Sequence, residues 1–407
     1  MGELTHFGLI VLVVSAVFAL AVLANRVSEQ VPIPSPAIFL LAAAIAAQIF
    51  PRLGSELSIK DVERIAVLAL IVILFDGGMR VGWARFRRAV VPITTLGVLG
   101  TFATAGLMTL AGRYLFDFSW TGAGILGAAL APTDPAIMFS VLGSKEVGGR
   151  TGTILEGESG ANDPVGIALM IGLLELATSD HGGFGIVVSE FAVQMSVGLA
   201  VGLAGGALLV PFMRRVSLPA EGLYPLRTLA SAGLIYGVAS VAHGSGFLAV
   251  FVAGIVVGDV EAPFKGEIEQ FHKALASLAE VVVFAALGLT VDLSSLGVDR
   301  LWLDAIWLAL ILALLVRPVV VGSLLLPVGL RWGERLFVMW GGLKGAVPIL
   351  LAAFALLADV DEAAKIYGIV FVVVAFSVFV QGGTIPLVAP RLGVPMRTIV
   401  PAPWRRV

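Results

Sequence analysis

Two short polar stretches interrupt long apolar runs in this sequence. GESGANDPVG, residues 157–166, carries Glu158 and Asp163, and ALAPTDPAIM, further upstream, carries Asp134. A carboxyl group in apolar surroundings can hold a proton when neutral or a small cation when charged, and acids inside membrane segments mark ion or proton pathways. The chemistry that these residues suggest is therefore reversible binding of a proton or a cation.

The composition indicates what surrounds these acids. Of the 407 residues, 58% are hydrophobic and 13% are charged, and the mean hydropathy is +1.02. A soluble globular protein is about half apolar and about a quarter charged. The chain is therefore predicted to be an all-α polytopic membrane protein. The net charge of −2 gives no reason to expect a nucleic-acid partner, and the absence of Cys excludes thiolate and disulfide chemistry.

Thirteen apolar windows have about the length that a membrane span needs. They lie at 6–24, 31–49, 64–79, 90–112, 120–142, 153–177, 186–211, 226–242, 246–259, 274–290, 301–328, 335–358 and 363–389. An outer N-terminus gives the inner connections roughly three times as many Lys and Arg residues as the outer ones. We therefore expect an outer N-terminus and a cytoplasmic C-terminus. The leader MGELTHFG lacks Lys and Arg, so the first window is interpreted as a mature helix and not as a signal peptide.

Two basic residues, Arg317 and Lys344, fall inside apolar windows, which makes them functional candidates. Lys344 lies in the glycine-rich string GGLKGAVP of window twelve, and Asp134 lies between Pro132 and Pro135 in window five. Proline and clustered glycine break helices. Broken spans at related positions in two halves are typical of inverted-repeat transporters. We expect windows 4–6 and 11–13 to be related triplets whose broken helices cross at mid-membrane.

Helix breaks also offer a role for the isolated charges. Each break exposes the positive N-terminus of one half-helix and the negative C-terminus of another. We expect Asp134 to neutralise the N-terminus of a half-helix, and Lys344 or Arg317 to neutralise a C-terminus. Asp134 and Thr133 are also expected to lie at the edge of an ion site. Asp163, about 15 Å into window six, is expected opposite Asp134 as the group that binds either a proton or a dehydrated monovalent cation.

Glu158 has a different expected role, because an isolated carboxylate at this depth is too costly. Glu158 and Asn162 are four residues apart and share a helix face. The planar guanidinium group of Arg317 is expected to bridge both side chains. Under this interpretation Glu158 and Arg317 form a structural ion pair, and Glu156 is a solvated acid near the cytoplasmic entrance.

Six strings, LFDGGMR, PTDPAIMFSVLG, ESGANDP, GLYPL, VRP and GLKGAVPILLA, resemble the monovalent cation:proton antiporter family of the sodium/hydrogen exchanger type. The match is most similar to the bacterial potassium/proton branch and covers essentially the whole chain. The resemblance implies a secondary transporter, not an enzyme, in the bacterial inner membrane. It implies a homodimer that contacts membrane lipids and uses no cofactor. The implied activity is exchange of a monovalent cation, K⁺ in preference to Na⁺, for H⁺ by an elevator-type movement.

The resemblance also assigns site residues and domains. The implied ion- and proton-binding residues are Asp163, Asn162, Asp134, Thr133 and Ser159, with the transported cation on Asp163, Thr133 and Ser159. An Asn-Asp pair implies electroneutral exchange, and charge compensation is assigned to Glu158, Arg317 and Lys344. The implied domains are scaffold helices at 1–89, core helices at 90–177, a linking helix at 178–225, scaffold helices at 226–300, core helices at 301–389 and a cytoplasmic tail at 390–407.

One residue departs from the family pattern, because Lys344 stands where Arg is usual. Lysine can lose its proton when buried, so the possibility that Lys344 is a second titrating group stays open. Many relatives continue into a cytoplasmic regulatory domain, so its natural absence or a truncation is expected here. Two other classes stay open: a cation channel, and an intramembrane aspartyl protease with Asp134 and Asp163 as its dyad.

Overall fold

The computed structural model describes Gly8 and residues 34–50, 57–142, 145–179 and 183–398. The first predicted span, at 6–24, and the end of the predicted tail lie outside the described residues. The described part is built almost entirely from helices. In the first half these are α1 (Ser35–Ile49), α2 (Ile59–Thr94), α3 (Thr101–Leu115), α4 (Trp120–Leu130), α5 (Pro135–Leu142), α6 (Gly149–Thr178) and α7 (Phe184–Arg215).

The second half of the chain continues in the same way. Its helices are α8 (Leu223–Val241), α9 (Gly246–Gly258), α10 (Lys265–Leu289), α11 (Leu301–Ile311), α12 (Arg317–Leu324), α13 (Trp332–Trp340), α14 (Ala346–Leu357), α15 (Ala363–Phe376) and α16 (Gly383–Arg391). Within the described residues, 6 helical runs are long and apolar enough to cross a membrane. Each predicted span from 31–49 onward coincides with one helix or with two consecutive helices.

The connection predicted between the third and fourth spans is helical, with a sharp break. Gly82 has φ of 62°, and Ala89 is also outside the helical region. A side chain at Gly82 would collide with the Asp259 carboxylate, which accepts the N–H of Ala84 at 2.6 Å. Glycine is thus required at the bend, because it adopts positive φ without strain and leaves room for this carboxylate. The break changes the direction of α2. A π-helical turn, Thr95–Gly100, then connects α2 to α3.

Two spans are discontinuous, as the proline and glycine patterns predicted. The first is broken between α4 and α5 around Pro132, and the second between α13 and α14 over Gly341–Gly345. The two unwound segments touch, because the N–H of Asp134 donates to the carbonyl of Leu343 at 2.8 Å. The predicted fold of two crossing discontinuous helices is therefore confirmed.

A small antiparallel sheet adds to the expected all-helical architecture. Strand β1 (Lys145–Val147), before α6, pairs with β2 (Met396–Thr398), after α16. Glu146 faces Arg397 across the pair, and their side chains form an ion pair at 2.7 Å. The N–H of Gly148 also donates to the carbonyl of Pro395 at 2.7 Å. The chain after the last helix is thereby fixed to the start of α6.

Helix α6 is enclosed by the rest of the bundle. It packs against α2, α4 and α7, and α9 packs between α2 and α7. Gly78 of α2 and Gly254 of α9 allow these two helices to touch through their backbones, as small residues do in membrane bundles. Helix α10 packs against α1 and α2. These contacts bring α2, α9 and α10 around the side of α6 that carries the acidic residues.

Candidate functional site

Asp163 lies at the centre of the enclosed helix. It is about 21 Å from each end of the 30-residue α6. Its side chain is only 6% exposed, and its Oδ1 atom has no hydrogen-bond partner among the described residues. A buried carboxylate oxygen without a partner is costly. This oxygen is the strongest candidate for a group that binds a proton or an ion.

A cavity reaches Asp163 from the side of α2, α9 and α10. Its atom-free space is about 720 Å³, part of which is open to solvent. Apolar residues of α2, Phe251 of α9 and Phe284 of α10 form much of its wall. Its polar lining residues are Arg80, Asp134, Glu156, Ser159, Asp163 and Glu280. The cavity therefore brings both predicted aspartates to one space that water can enter.

The unwound segment at Thr133 is held by two residues of α6. Asn162 Nδ2 donates to Thr133 Oγ1 at 2.8 Å, and the N–H of Thr133 donates to Asn162 Oδ1 at 3.3 Å. Ser159 Oγ donates to the carbonyl of Thr133 at 2.5 Å. All three residues are buried. Two hydroxyl oxygens, those of Thr133 and Ser159, therefore lie at the unwound segment, and Ser159 also lines the cavity of Asp163.

Asp134 lies at the start of α14. A side chain on Gly345, which precedes the first residue of α14, would collide with the Asp134 carboxyl group. The carboxylate therefore lies close to the positive N-terminal end of that half-helix. The expectation that Asp134 neutralises a half-helix N-terminus agrees with this position, and its place in the cavity lining keeps it near Asp163.

Lys344 belongs to the unwound segment between α13 and α14, and its side chain reaches the C-terminal end of α4. Its Nζ donates to the carbonyls of Ala131 and Pro132, both at 2.9 Å, which follow the last turn of α4. Its own N–H donates to Ser377 Oγ at 2.9 Å. An ammonium group can satisfy carbonyls that a helix break leaves without partners. Lys344 is thus placed as a C-terminal cap of α4, and its side chain is buried.

Arg317 has the equivalent position at α13. It donates to the carbonyls of Val338 at 3.1 Å and Met339 at 3.0 Å, at the end of α13, and its Nη1 lies 3.0 Å from Glu158 Oε1. The π-helical turn Leu312–Val316 immediately precedes Arg317. Both members of the Glu158–Arg317 pair are buried. The structure therefore brings together the two residues that the sequence analysis paired.

The predicted bridge from Arg317 to Asn162 is wrong. Arg317 Nε and Nη2 donate to carbonyls of α13 and Nη1 contacts Glu158, while the Asn162 amide is engaged by Thr133. Gly342 makes this arrangement possible, because a side chain there would collide with the guanidinium group. Glu158 and Asn162 share a stripe of α6, but Glu158 contacts Arg317 of α12 whereas Asn162 contacts the unwound segment at Thr133.

Substitution of Gly345 tests the position of Asp134. We expect Gly345→Ala to push the Asp134 carboxyl group away from the N-terminus of α14 and to lower the melting temperature of the purified protein. Gly266→Ala is the control, because a side chain at that exposed position meets nothing within 4 Å. Equal melting of both variants would show that Asp134 does not lie against Gly345.

Comparisons with known proteins show the family to which the chain belongs. A model of the family described as "Sodium/hydrogen exchanger, transmembrane" matches residues 13–390. The chain belongs to the sodium/hydrogen exchanger family. The family predicted from the motifs is thus confirmed.

Relatives with names lie within this family. The K(+)/H(+) antiporter NhaP of Alkalimonas amylolytica is 35% identical over 386 residues, which cover 94% of this chain and 66% of that protein. The K(+)/H(+) antiporter NhaP2 of Shewanella sp. (strain ANA-3) is 32% identical over 376 residues, which cover 91% and 65%. The chain therefore spans just under two thirds of the length of these exchanger-family relatives.

A solved structure shares the exchanger fold. The structure of the sodium proton antiporter MjNhaP1 from Methanocaldococcus jannaschii matches with a TM-score of 0.78 and 23% identity. The match covers 90% of this chain and 97% of that chain. It supports the helical architecture and the two crossing discontinuous helices described above.

Sequence reasoning missed two acids of this exchanger-family chain. Glu280 of α10 lines the cavity, and its Oε1 is buried without a hydrogen-bond partner among the described residues. Asp76 of α2 is buried and pairs with Arg80 at 2.8 Å. Both lie in apolar windows. The rule that charged residues inside membrane segments are functional candidates, which selected Asp163, was therefore sufficient to find them.

The position of Glu156 also differs from the expectation. It belongs to α6 and is half-buried, and it lines both the cavity at Asp163 and a second cavity near β1. It is therefore not a solvated acid of a connecting loop. The predicted window 153–177 already contained Glu156, but its sequence does not show that the side chain faces the cavities inside the bundle.

Proposed function

We propose that this chain exchanges a monovalent cation for protons by alternate occupancy of Asp163. The observation that carries the proposal is the buried Asp163 Oδ1, which has no hydrogen-bond partner among the described residues and lies on a cavity. The other buried charges at the crossing have structural contacts: Glu158 with Arg317, and Lys344 with the end of α4. Glu158 Oε2 and Glu280 Oε1 are also buried without a hydrogen-bond partner among the described residues, but Glu158 is paired through its Oε1 and Glu280 lies on α10, outside the crossing. Asp163 is therefore the carboxyl group at the crossing that we assign to the substrate.

Competition at Asp163 explains how exchange is coupled. A proton or a bound cation each neutralises the carboxylate, whereas the unoccupied carboxylate is a net charge that is expensive to move through hydrocarbon. Only the two loaded forms would therefore cross between the two sides. Asn162 carries no charge of its own, which supports a 1:1 electroneutral exchange.

The proposed cation ligands lie at the crossing. Asp163 supplies a carboxylate oxygen, and Ser159 and Thr133 supply hydroxyl oxygens that keep lone pairs beyond their hydrogen bonds. Asp134 lines the same cavity and adds negative charge there. Oxygen ligands of this kind suit a dehydrated monovalent cation. Because two relatives are named for potassium, we propose K⁺ ahead of Na⁺.

The cavity walls support an elevator-type movement. One wall comes from α2, α9 and α10, which the proposal assigns to the scaffold, and the other from α6, α14 and the unwound segment at Asp134. Sliding of the second group against the first would carry Asp163 between the two membrane faces. We further propose a homodimer with an outer N-terminus and a cytoplasmic C-terminus, the latter from the distribution of basic residues.

Flux into vesicles tests the proposal. Purified protein is reconstituted into liposomes that hold a pH-sensitive dye and an imposed pH gradient, and Li⁺, Na⁺, K⁺ or Rb⁺ is added separately. We expect K⁺ to collapse the gradient without net current. A current that follows the cation gradient would indicate a channel. No flux with any cation would contradict antiport and would reopen the protease alternative, which cleavage of a membrane-spanning peptide would test.

Glu280→Gln tests whether the cavity acid attracts cations. The substitution removes a carboxyl group that faces the space leading to Asp163, so at an alkaline pH, where this group is ionised, we expect the half-saturating K⁺ concentration to rise several-fold while the maximal rate changes little. Glu267→Gln, on the exposed first turn of the same helix, is the matched control and should change neither value. A Glu280 variant with unchanged K⁺ dependence would remove Glu280 from the cation path.

A further inference from the structure

A second cavity lies beside the β1–β2 pair and is rich in arginine. It encloses about 1020 Å³ of atom-free space, part of which is open to solvent. Three separate parts of the chain form its wall: the bent segment of α2, the start of α6 with β1, and β2. The guanidinium groups on the wall belong to Arg85, Arg88, Arg150 and Arg397.

The charges around this cavity do not balance. Among the described residues, two carboxylates, Glu146 and Glu156, lie on its wall with the four arginines. Glu146 is paired with Arg397 at 2.7 Å. Arg85 uses its Nε for the carbonyl of Val81, which leaves its two terminal nitrogens for other contacts. The excess of positive charge is about two, which corresponds to a dianion.

The backbone on one side of the cavity leaves room for a ligand. Gly148 and Gly149 lie on the wall and have no side chains, and a side chain at either would meet no atom closer than 3.5 Å. No side chain caps the N-terminus of α6, which begins at Gly149. These features reinforce the arginine cluster, because unsatisfied N–H groups at a helix start favour anions.

We propose that the cavity lined by Arg85, Arg88, Arg150 and Arg397 binds a phosphate-bearing anion. Guanidinium forks match the oxygens of phosphate groups and bind them with two parallel hydrogen bonds. The phosphate belongs either to a soluble solute or to a lipid headgroup at the predicted cytoplasmic face. Arg87, in the same segment, is exposed as Arg85, Arg88 and Arg150 are, but it does not line the cavity. It therefore serves as the control that separates binding in the cavity from attraction to a general basic surface.

Occupancy would restrain the transport movement, a consequence that rests on the proposed function. The anion would link the bend of α2, which connects scaffold and core, to the start of α6. Glu156 lines this cavity and also the cavity of Asp163, so the two spaces share one acid. A bound anion would therefore hold α2 and α6 together and slow exchange.

Calorimetry on the purified full chain in an uncharged detergent tests binding without reference to transport. The probe is inorganic pyrophosphate as its N-methyl-glucamine salt, so that no transported cation varies. We expect saturable binding that weakens about tenfold in Arg88→Gln and in Arg150→Gln. Arg87→Gln removes the same charge from the same segment and should bind as the wild type does. A loss of equal size in Arg87→Gln would overturn the proposal.

A second arm identifies the source of the phosphate. The protein is melted in phosphatidylcholine nanodiscs with and without phosphatidylglycerol. Stabilisation by phosphatidylglycerol that is lost in Arg88→Gln but kept in Arg87→Gln supports a lipid headgroup, and binding of pyrophosphate alone supports a soluble solute. An absence of both lipid stabilisation and pyrophosphate binding would overturn the site.

Exchange that is equally fast with bound pyrophosphate would overturn the proposed restraint on the transport movement. A chain that binds pyrophosphate but transports nothing would instead contradict the proposed antiport.

Discussion

Asp163→Asn is expected to abolish cation–proton exchange while the protein stays folded. The amide has nearly the shape of the carboxyl group, but it cannot release a proton or supply the negative charge that a cation needs. Exchange should fall to the level of empty liposomes. The measurement is collapse of an imposed pH gradient on addition of K⁺, with thermal melting of the same sample as the test of folding.

The control for this experiment is Asp361→Asn. Asp361 is exposed and does not line the cavity, so its substitution should leave exchange near the wild-type rate. Exchange at a wild-type rate in Asp163→Asn would show that another group carries the proton. Because Glu280 and Asp134 share the cavity, they would then become the candidates to test.

Removal of one partner of the buried Glu158–Arg317 pair is expected to destabilise the protein strongly. Breaking a buried ion pair typically lowers the free energy of unfolding by about 3–5 kcal/mol, because an unpaired charge stays buried. Glu158→Gln should therefore melt at a clearly lower temperature, and stability should fall before transport does. Arg317→Met should be worse, because Arg317 also satisfies the carbonyls of Val338 and Met339.

Glu146→Gln is the matched control for this pair. It breaks an ion pair of similar distance, with Arg397, at an exposed position, and exposed pairs contribute only about 0–1 kcal/mol. Its melting temperature should stay close to that of the wild type. If Glu158→Gln melted normally and yet failed to transport, Glu158 would belong to the ion site and not to a structural clamp.

The sequence was sufficient for the fold because its signals are local. Apolar windows, Pro132 with Pro135, and the glycines of the GGLKG string each specify a span or a break without knowledge of the partner helix. The crossing of the two breaks followed from their related positions. Glu158 and Arg317 were paired correctly because each is costly alone, and few partners of opposite charge share their depth.

The site details depended on how each helix is rotated, which local patterns do not specify. Asn162 was assigned to Arg317 from helix spacing alone, but the unwound segment brings Thr133 within hydrogen-bond distance of Asn162. Glu280 was missed because the acids considered were those near the polar motifs, although it faces the same cavity. The β1–β2 pair joins segments about 250 residues apart and had no visible signal.

The most direct test counts protons when a cation binds to the purified protein. In a weakly buffered detergent solution with a pH dye, saturating K⁺ should release about one proton per protein chain, and Asp163→Asn should release none. We expect the apparent affinity for K⁺ to fall as the solution is acidified, because proton and cation compete for one carboxyl group. Binding of K⁺ to the wild-type chain with no proton release would contradict the central claim.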